Sequence, residues 1–213
     1  MLRKYLTKTP WWVKKLYPKR IWHMDTSAKK IYLSFDDGPH PVATPFVLDL
    51  LKQYDARATF FCIGKNVAAY PEIFQRIVAE GHSVGNHTQD HLNGWFTGTE
   101  TYVRNVGLAK RYIQSPLFRP PYGKIRSAQV KKMHHYRIIM WDVLSGDFDK
   151  SVSVEECTQN VIQHTNNGSI VVFHDSEKAW KNLSNSLPVV LEHFKKKGFE
   201  FAAILGGKND RFS

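Results

Sequence analysis

The feature that most constrains this chain is an alternation of short apolar runs with segments of helical periodicity, which begins at residue 30 and continues almost to the end. The apolar runs predict seven strands, at 30–35, 58–64, 82–86, 117–121, 137–143, 169–173 and 199–204. The segments between them predict six helices, at 44–54, 71–82, 99–114, 126–134, 154–164 and 187–198. Such alternation is typical of an α/β fold in which helices cover parallel strands.

Seven strand–helix units in about 180 residues predict a distorted (β/α) barrel with about seven parallel strands, slightly fewer than the usual eight. A doubly wound open sheet is the alternative architecture. In both folds the functional site lies beyond the carboxyl ends of the strands. The length of 213 residues is sufficient for one such domain with a substantial core.

The net charge of +11 is concentrated at the amino terminus. Residues 1–30 hold nine Lys and Arg residues and a single acid, Asp25, so we expect a basic N-terminal arm at 1–30 and a separate domain at 31–213. The rest of the chain is close to neutral and contains no recognisable nucleic-acid-binding module. We therefore expect no nucleic-acid partner.

Aromatic residues are interleaved with the cations of the arm: Tyr5, Trp11, Trp12, Tyr17 and Trp22. The arm could contact an anionic membrane surface, because cations and amphipathic aromatic rings both favour the headgroup region. Alternatively, the three tryptophans could pack across the barrel and close its bottom or the gap of a missing strand. The arm lacks the unbroken apolar core of a signal peptide, and no apolar run approaches the ~20 residues of a membrane span, so we expect a cytoplasmic protein or one bound peripherally to the inner membrane face.

Charged and titratable residues follow five of the predicted strands at the same end. Asp36 and Asp37 end the first strand, and His87 and Arg119 end the third and fourth. The remaining residues are Asp142 and Asp147 after the fifth strand and His174 and Asp175 at the end of the sixth. Buried strands rarely end in such groups for packing reasons alone, so this pattern indicates a functional site at that rim.

The stretches SFDDGP at 34–39 and NHTQDH at 86–91 together predict a metal site. His87 and His91 are four residues apart, which places both imidazoles on one face of a helical turn, although surface histidines often have this spacing too. One of the two adjacent aspartates with both histidines would make a three-ligand site with an open position, as in catalytic metal centres. The other aspartate could then act as a general base, held ionised by Arg119.

Four motifs in this order, SFDDGP, HTQDH, RPPYG and IVVFHD, resemble the motif set of the polysaccharide deacetylases, also called carbohydrate esterase family four or the NodB-homology domain. The resemblance extends from about Ile31 to Leu205 and includes nearly all of the chain except the arm. It implies that 31–213 is a catalytic domain with a distorted barrel of seven strands. It also implies a divalent metal cofactor, most commonly zinc, with cobalt, nickel or manganese as alternatives.

The resemblance implies a role for each motif residue. The metal ligands would be Asp37, His87 and His91. The catalytic residues would be Asp36 as general base, Arg119 as the residue that positions it, Tyr122 as the donor of a backbone N–H to an oxyanion hole, and His174 as a general acid tuned by Asp147. One departure is visible, because the family usually has Trp after the tuning aspartate and this chain has Phe148.

These residues predict a hydrolase that removes acetyl groups from an N-acetylated glycan partner of the N-acetylglucosamine type. The alternatives are an O-acetyl esterase acting on acetylxylan-like glycans, a different amidohydrolase on the same barrel, and an inactive glycan-binding homologue. The complete set of motif residues argues against the last two. Candidates for stacking on sugar rings are Trp95, Tyr122, Trp141 and Phe148, although Trp141 lies in an apolar run typical of the core. The polymer and the oligomeric state are left open.

Overall fold

The computed structural model describes residues 5–206 and shows a curled sheet covered by helices. Its strands are β1 (Lys30–Asp36), β2 (Thr59–Cys62), β3 (Ser83–Asn86), β4 (Leu117–Phe118), β5 (Arg137–Ile138), β6 (Val143–Leu144), β7 (Ile170–His174) and β8 (Glu200–Phe201). Its helices are α1 (Trp11–Leu16), α2 (Ala43–Gln53), α3 (Gly64–Ala69), α4 (Pro71–Ala79), α5 (Thr99–Ala109), α6 (Ser127–Lys132), α7 (Val154–His164) and α8 (Trp180–Lys196). Residues 1–4 and 207–213, which the predicted arm and domain include, lie outside this described range.

The sheet has seven parallel strands in the order β5, β4, β3, β2, β1, β7, β6, and β8 pairs with the start of β1. This arrangement confirms the predicted α/β fold, a distorted (β/α) barrel. Strand β1 lies at the centre and is almost entirely buried. In register, Asp36 is opposite Phe61 on one neighbour and His174 on the other. The predicted site residues on these strands therefore share one edge of the sheet.

The main core lies between the central strands and the helices that cover them. Leu33 and Phe60 from the sheet join Leu48 of α2 and Leu187 of α8, and all four side chains are fully buried. Burial of such apolar side chains is the main source of stability of the fold. It also gives the ends of the central strands a rigid support.

The segment 137–143, predicted as one strand, forms two short strands instead. Strand β5 pairs only with β4, and β6 pairs only with β7, so the sheet is open between them. The backbone at this opening bonds to the N-terminal arm: Ile21 N–H donates to Ile138 O (2.9 Å), and Met140 N–H donates to Ile21 O (2.7 Å). Buried backbone groups need partners, and the arm supplies the ones that a further strand would provide.

Helix α8 also differs from the prediction, which began it at Leu187. Proline is a signal for the first turn of a helix, but Pro188 lies inside α8, which already begins at Trp180. The additional turns bury Leu183 and Asn182 against the rest of the domain. Tertiary packing thus stabilises helical residues before Leu187, where the local proline signal would begin the helix.

The N-terminal arm divides into a buried part and an exposed part. Trp22 and Met24 are buried, and Trp22 packs in a core cluster with Phe118 and Met140. By contrast, Trp11 and Trp12 are 69% and 55% exposed. The prediction that tryptophans of the arm pack across an incomplete barrel is correct for Trp22 and wrong for Trp11 and Trp12.

A buried carboxylate anchors the arm to the sheet. Lys8 Nζ and Lys14 Nζ each lie 2.6 Å from an oxygen of Asp142, and Ser169 Oγ donates to the same carboxylate at 2.6 Å. Burial raises the pKa of Asp142, but the bonds from Lys14, Lys8 and Ser169 lower it by more. The sequence placed Asp142 among the residues at the functional rim, whereas the structure assigns it to the attachment of the arm.

None of the helices within residues 5–206 is both long enough and apolar enough to span a bilayer.

We predict that Asp142→Asn destabilises the protein by roughly 1.5–3 kcal/mol, the contribution of hydrogen bonds to a charged group. The cause is the loss of the charge that holds Lys8 and Lys14. Because the pKa of Asp142 is lowered in the folded state, this stabilisation is present above the unfolded-state pKa of about 3.9 and is lost as the pH falls below it. Urea unfolding at pH 7 measures the difference. The control Asp55→Asn changes an exposed aspartate, and equal stability of the two variants would contradict the anchoring role.

Candidate active site

A cavity of about 450 Å³ opens at the carboxyl ends of the central strands. Its lining includes six of the predicted site residues, Asp36, Asp37, His87, His91, Tyr122 and His174. Arg119 and Asp147 are buried directly behind this lining. The structure therefore brings together all eight residues that the motifs predicted for the site.

Asp36 is held by a fully buried arginine. Arg119 Nη1 donates to Asp36 Oδ1 at 2.6 Å and lies 2.8 Å from Ser34 Oγ. Arg119 Nε and Nη2 donate to the carbonyl oxygens of Ile139 and Met140. Because four hydrogen bonds hold the guanidinium in place, it presents a fixed donor that orients the Asp36 carboxylate.

Asp37 points to a different group of residues from its neighbour. Its φ angle of 80° lies in the left-handed region, so the backbone turns immediately after the strand. Asp37 Oδ1 lies 3.1 Å from His91 Nε2 and 3.6 Å from His87 Nε2. Within a strand, adjacent side chains would point to opposite faces of the sheet. The turn instead lets both aspartates reach the same cavity, with Asp36 bound to Arg119 and Asp37 beside the two histidines.

His87 has its metal-facing nitrogen free. Its Nδ1 lies 2.8 Å from the carbonyl oxygen of Arg119, so that nitrogen carries the proton and donates it, and Nε2 keeps its lone pair. Burial lowers the pKa of His87 to about 4, which keeps the ring neutral at neutral pH. On His91 the corresponding nitrogen, Nδ1, lies 3.2 Å from the Tyr122 hydroxyl.

These three side chains fit a divalent metal. Ligand atoms of Asp37, His87 and His91 all lie within 4.8 Å of one another. Asp37 Oδ1 is buried and has no well-formed hydrogen bond, and a buried oxygen of this kind needs a partner. Burial raises the pKa of Asp37, but its contact with His91 and the charges of nearby histidines lower it overall, so it is ionised. One carboxylate and two imidazoles are suitable zinc ligands.

His174 lines the cavity from the end of β7 and is paired with Asp147. His174 Nδ1 is 2.8 Å from Asp147 Oδ1, and the His174 backbone N–H donates to Asp147 Oδ2 at 2.7 Å. Ser145 Oγ also donates to Asp147. Burial lowers the pKa of His174, but the charge and hydrogen bond of Asp147 raise it to about 9. The imidazole is therefore protonated at neutral pH, as a general acid must be.

A second buried aspartate supports the turn after β1. Asp175 Oδ1 accepts the Gly38 N–H at 3.1 Å, and the Thr44 hydroxyl donates to Asp175 Oδ2 at 2.5 Å. A Cβ atom on Gly38 would lie only 2.0 Å from Asp175 Oδ2. Glycine is thus required for the close approach that holds Asp37 in place.

Some residues of the cavity were not predicted as site residues. They are Tyr5, Lys124, Leu144, Val172 and Lys178. Tyr5 comes from the arm, its ring lies 5.1 Å from that of Phe148, and its hydroxyl donates to Asp149 at 3.0 Å. No local signal identifies Tyr5, because only the path of the arm brings it to the cavity.

The predicted sugar-stacking residues have different positions. Trp141 is half-buried and lines the cavity, as do Phe148 and the 59% exposed Tyr122. Trp95 is 51% exposed and outside the cavity lining, with Lys124 Nζ 5.0 Å from the centre of its ring. Phe148, which stands where the family usually has Trp, packs edge-on against His174 at 4.9 Å, with Tyr5 beside it.

Comparison with known proteins identifies the family. Residues 23–139 match the family described as polysaccharide deacetylase. A peptidoglycan-N-acetylglucosamine deacetylase of Bacillus cereus is 35% identical over 191 residues, with 86% of this chain and 90% of that protein aligned. A chitooligosaccharide deacetylase of Azorhizobium caulinodans is 32% identical, with 68% of this chain and 73% of that protein aligned. Other relatives are longer, and the chain spans 38% of the peptidoglycan deacetylase PgdA of Listeria monocytogenes.

The three-dimensional comparison agrees. A crystal structure of a peptidoglycan N-acetylglucosamine deacetylase bound to an N-hydroxybenzamide compound has a TM-score of 0.80 and 30% identity, covering 92% of this chain and 95% of that one. The chain belongs to the polysaccharide deacetylase family. The resemblance inferred from the motifs, and with it the expected class of enzyme, is therefore confirmed.

We predict that Gly38→Ala weakens the binding of a divalent metal, with zinc as the probe, by about 10–100-fold, the usual effect of disturbing the groups that orient metal ligands. The added methyl group clashes with Asp175 and displaces the turn that carries Asp37. Competition with a chromophoric chelator measures the affinity. The control Gly107→Ala adds the same methyl group where no atom lies within 4 Å. If both variants bind zinc like the wild type, the turn does not position Asp37.

We predict that Asp147→Asn lowers the pKa of His174 from about 9, because its main raising cause is removed. The protonated ring is lost as the pH rises through this pKa, so the alkaline limit of activity should move to lower pH. An NMR titration of the His174 ring in metal-free protein measures the shift directly. Asp25→Asn, at an exposed position of the arm, serves as the control. An unchanged titration in Asp147→Asn would show that Asp147 does not tune the ring.

Proposed function

We propose that this protein is a metal-dependent deacetylase that removes acetyl groups from N-acetylated sugars of a glycan. The observation that carries this proposal is the gathering of two proton-transfer groups and one metal-binding trio in a single cavity. Asp36 is held there by Arg119, and His174 is held by Asp147. Hydrolysis of an amide needs both a base for the water and an acid for the departing amine.

The proposed substrate is a glycan of the N-acetylglucosamine type. Relatives that are 35% and 32% identical are named for peptidoglycan N-acetylglucosamine and for chitooligosaccharides, respectively. The cavity of about 450 Å³ is within the usual size range of small-ligand sites, and the rings of Tyr5, Trp141 and Phe148 line it. Flat aromatic faces of this kind suit the apolar faces of sugar rings.

A divalent metal held by Asp37, His87 and His91, which we propose to be zinc, would polarise the acetyl carbonyl and make water a stronger nucleophile. Asp36 accepts the proton of the attacking water, and Arg119 holds Asp36 in position. We assign the backbone N–H of Tyr122 to the developing oxyanion, where one such donor contributes roughly 3–4 kcal/mol. His174 then protonates the nitrogen as the C–N bond breaks, which releases acetate and a free amine.

The different surroundings of His87 and His174 explain why we propose different roles for the two imidazoles. His87 is neutral because burial lowers its pKa to about 4, so it is suited to metal binding. His174 is protonated because Asp147 raises its pKa to about 9, so it is suited to proton donation. Environments that push the pKa values of two groups apart are a common basis for acid and base assignments.

The proposal is tested by acetate release from N-acetylglucosamine oligomers, peptidoglycan and acetylxylan, before and after metal removal and after zinc is restored. We expect activity on the first two substrates and its loss without metal. Asp36→Asn should keep its zinc yet lose about 10²–10⁴-fold in kcat, the usual contribution of a general base. Asp55→Asn is the matched control. Release from acetylxylan alone would identify an O-acetyl esterase, and release from none would contradict the assigned function.

The role of His174 has its own test. His174→Ala should reduce the hydrolysis of an N-acetyl sugar much more than that of an activated aryl acetate, whose leaving group needs no proton. His135→Ala, which removes an exposed histidine, should change neither rate. Equal losses on both substrates would remove His174 from the proton-donating role.

A further inference from the structure

The N-terminal arm presents a cluster of exposed apolar side chains that the proposed chemistry does not use. Its members, which we call the arm surface, are Leu6, Trp11, Trp12, Leu16 and Tyr17. Trp11 is 69% exposed and Leu16 is 62% exposed, and helix α1 buries none of its residues. Large apolar groups are commonly exposed one at a time, but a contiguous group of them marks an interaction site.

The arm surface is held rigidly on the domain. Lys8 and Lys14, which lie within the same segment, bind the buried carboxylate of Asp142, and Thr9 Oγ1 donates to the carbonyl oxygen of Trp141 at 2.8 Å. After the helix, Ile21 pairs with the backbone of the sheet and Trp22 is buried. The two tryptophans are therefore exposed by a fixed structure whose ends are both anchored.

A shallow groove of about 620 Å³ continues the arm surface toward α6. Its apolar lining comes from Leu16, Tyr17, Val130, Met133 and Ile138, and cations stand among them: Lys19, Arg20 and Lys131. No Asp or Glu is among the described residues that line this groove. Lys15 adds a further cation, with its Nζ 5.0 Å from the centre of the Trp11 ring.

We propose that the arm surface docks on a lipid bilayer with anionic headgroups. Trp and Tyr side chains favour the boundary between headgroups and acyl chains, and Lys and Arg near them are attracted to anionic lipids. The arm surface and its groove combine these two properties, and no acid in the groove lining opposes the attraction. Interfacial binding of this kind requires only a shallow insertion and no helix that crosses the membrane.

The short length of α1 fits this mode of binding. A six-residue helix is too short to fill the groove of a partner protein with the i, i+3, i+4 and i+7 contacts that such recognition uses. Consecutive residues of a helix do not share a face, but Trp11 and Trp12 are each more than half exposed, so each ring is available to an interface. The charges near them supply the preference for anionic over neutral lipid.

The test is co-sedimentation of the full chain with vesicles of equal parts phosphatidylglycerol and phosphatidylcholine, compared with vesicles of phosphatidylcholine alone. We expect binding to the anionic vesicles at low salt that falls when the salt concentration is raised. Trp11→Ser combined with Trp12→Ser should reduce the partition coefficient at least ~10-fold, since both insertion groups are lost. The control Phe96→Ser removes a fully projecting ring, 82% exposed, from a different segment and should bind like the wild type.

The charge contribution is tested separately. Lys15→Gln combined with Lys19→Gln should weaken binding severalfold at low salt and much less at high salt. Lys52→Gln combined with Lys65→Gln removes the same charge from exposed positions of α2 and α3 and should have little effect. Thermal unfolding establishes that each variant is folded.

Three results would overturn the proposal. The first is absence of binding to anionic vesicles at low salt. The second is unchanged binding of the double tryptophan variant. The third is a concentration-dependent dimer, seen by analytical ultracentrifugation, that the same variant abolishes, because the arm surface would then join two copies of the chain.

Discussion

The buried ion pair of Arg119 and Asp36 is the interaction on which the rest of the site depends. A guanidinium without access to water is costly unless it is hydrogen-bonded, and here its partners come from β1 and from the segment that follows β5. Ser34 and Asp36 belong to β1, the carbonyl oxygens belong to Ile139 and Met140, and the ring of Phe61 in β2 lies 4.0 Å below the guanidinium. The pair therefore requires that the carboxyl ends of these strands keep their relative positions.

The same arginine connects the base with the metal site. Its carbonyl oxygen accepts the proton of His87 Nδ1, while its side chain holds Asp36. One residue thus sets the orientation of the proposed general base and the free nitrogen of a proposed metal ligand. This connection explains why a buried charge is retained in a position where an apolar residue would pack at lower cost.

The fold was largely predictable because its signals are local. The apolar runs of β1, β2 and β7 and the periodicity of α2, α5 and α7 each act within about ten residues of sequence. The division of 137–143 into β5 and β6 was not predictable in this way, since it follows from hydrogen bonds to Ile21 in the arm.

The motif residues of the site were found because four short stretches carry them. Tyr5 and the anchoring role of Asp142 were missed, because each depends on contacts between distant parts of the chain.

Backbone strain is concentrated where the chemistry is proposed. Among residues 5–206, the non-glycine residues with positive φ are Asp37, Asp55, Thr88, His91 and Tyr122, and all except Asp55 belong to the strand-end loops of the site. Such conformations cost about 1–3 kcal/mol each and persist only where the surrounding structure enforces them. The support that Asp175 gives to Gly38 is one example of that enforcement.

The attachment of the arm has a consequence for how the protein folds. Tyr5, Lys8 and Lys14 contact residues that are 144, 134 and 128 positions later in the sequence. During synthesis the arm leaves the ribosome well before its partners, which become available only after more than a hundred further residues have been added. Contacts between such distant segments form late, because the entropy of closing a long loop must be overcome first. The part of the cavity wall that Tyr5 forms is therefore expected to assemble last. Until the arm has bound to the folded domain, the active site of a newly made chain lacks this part of its wall.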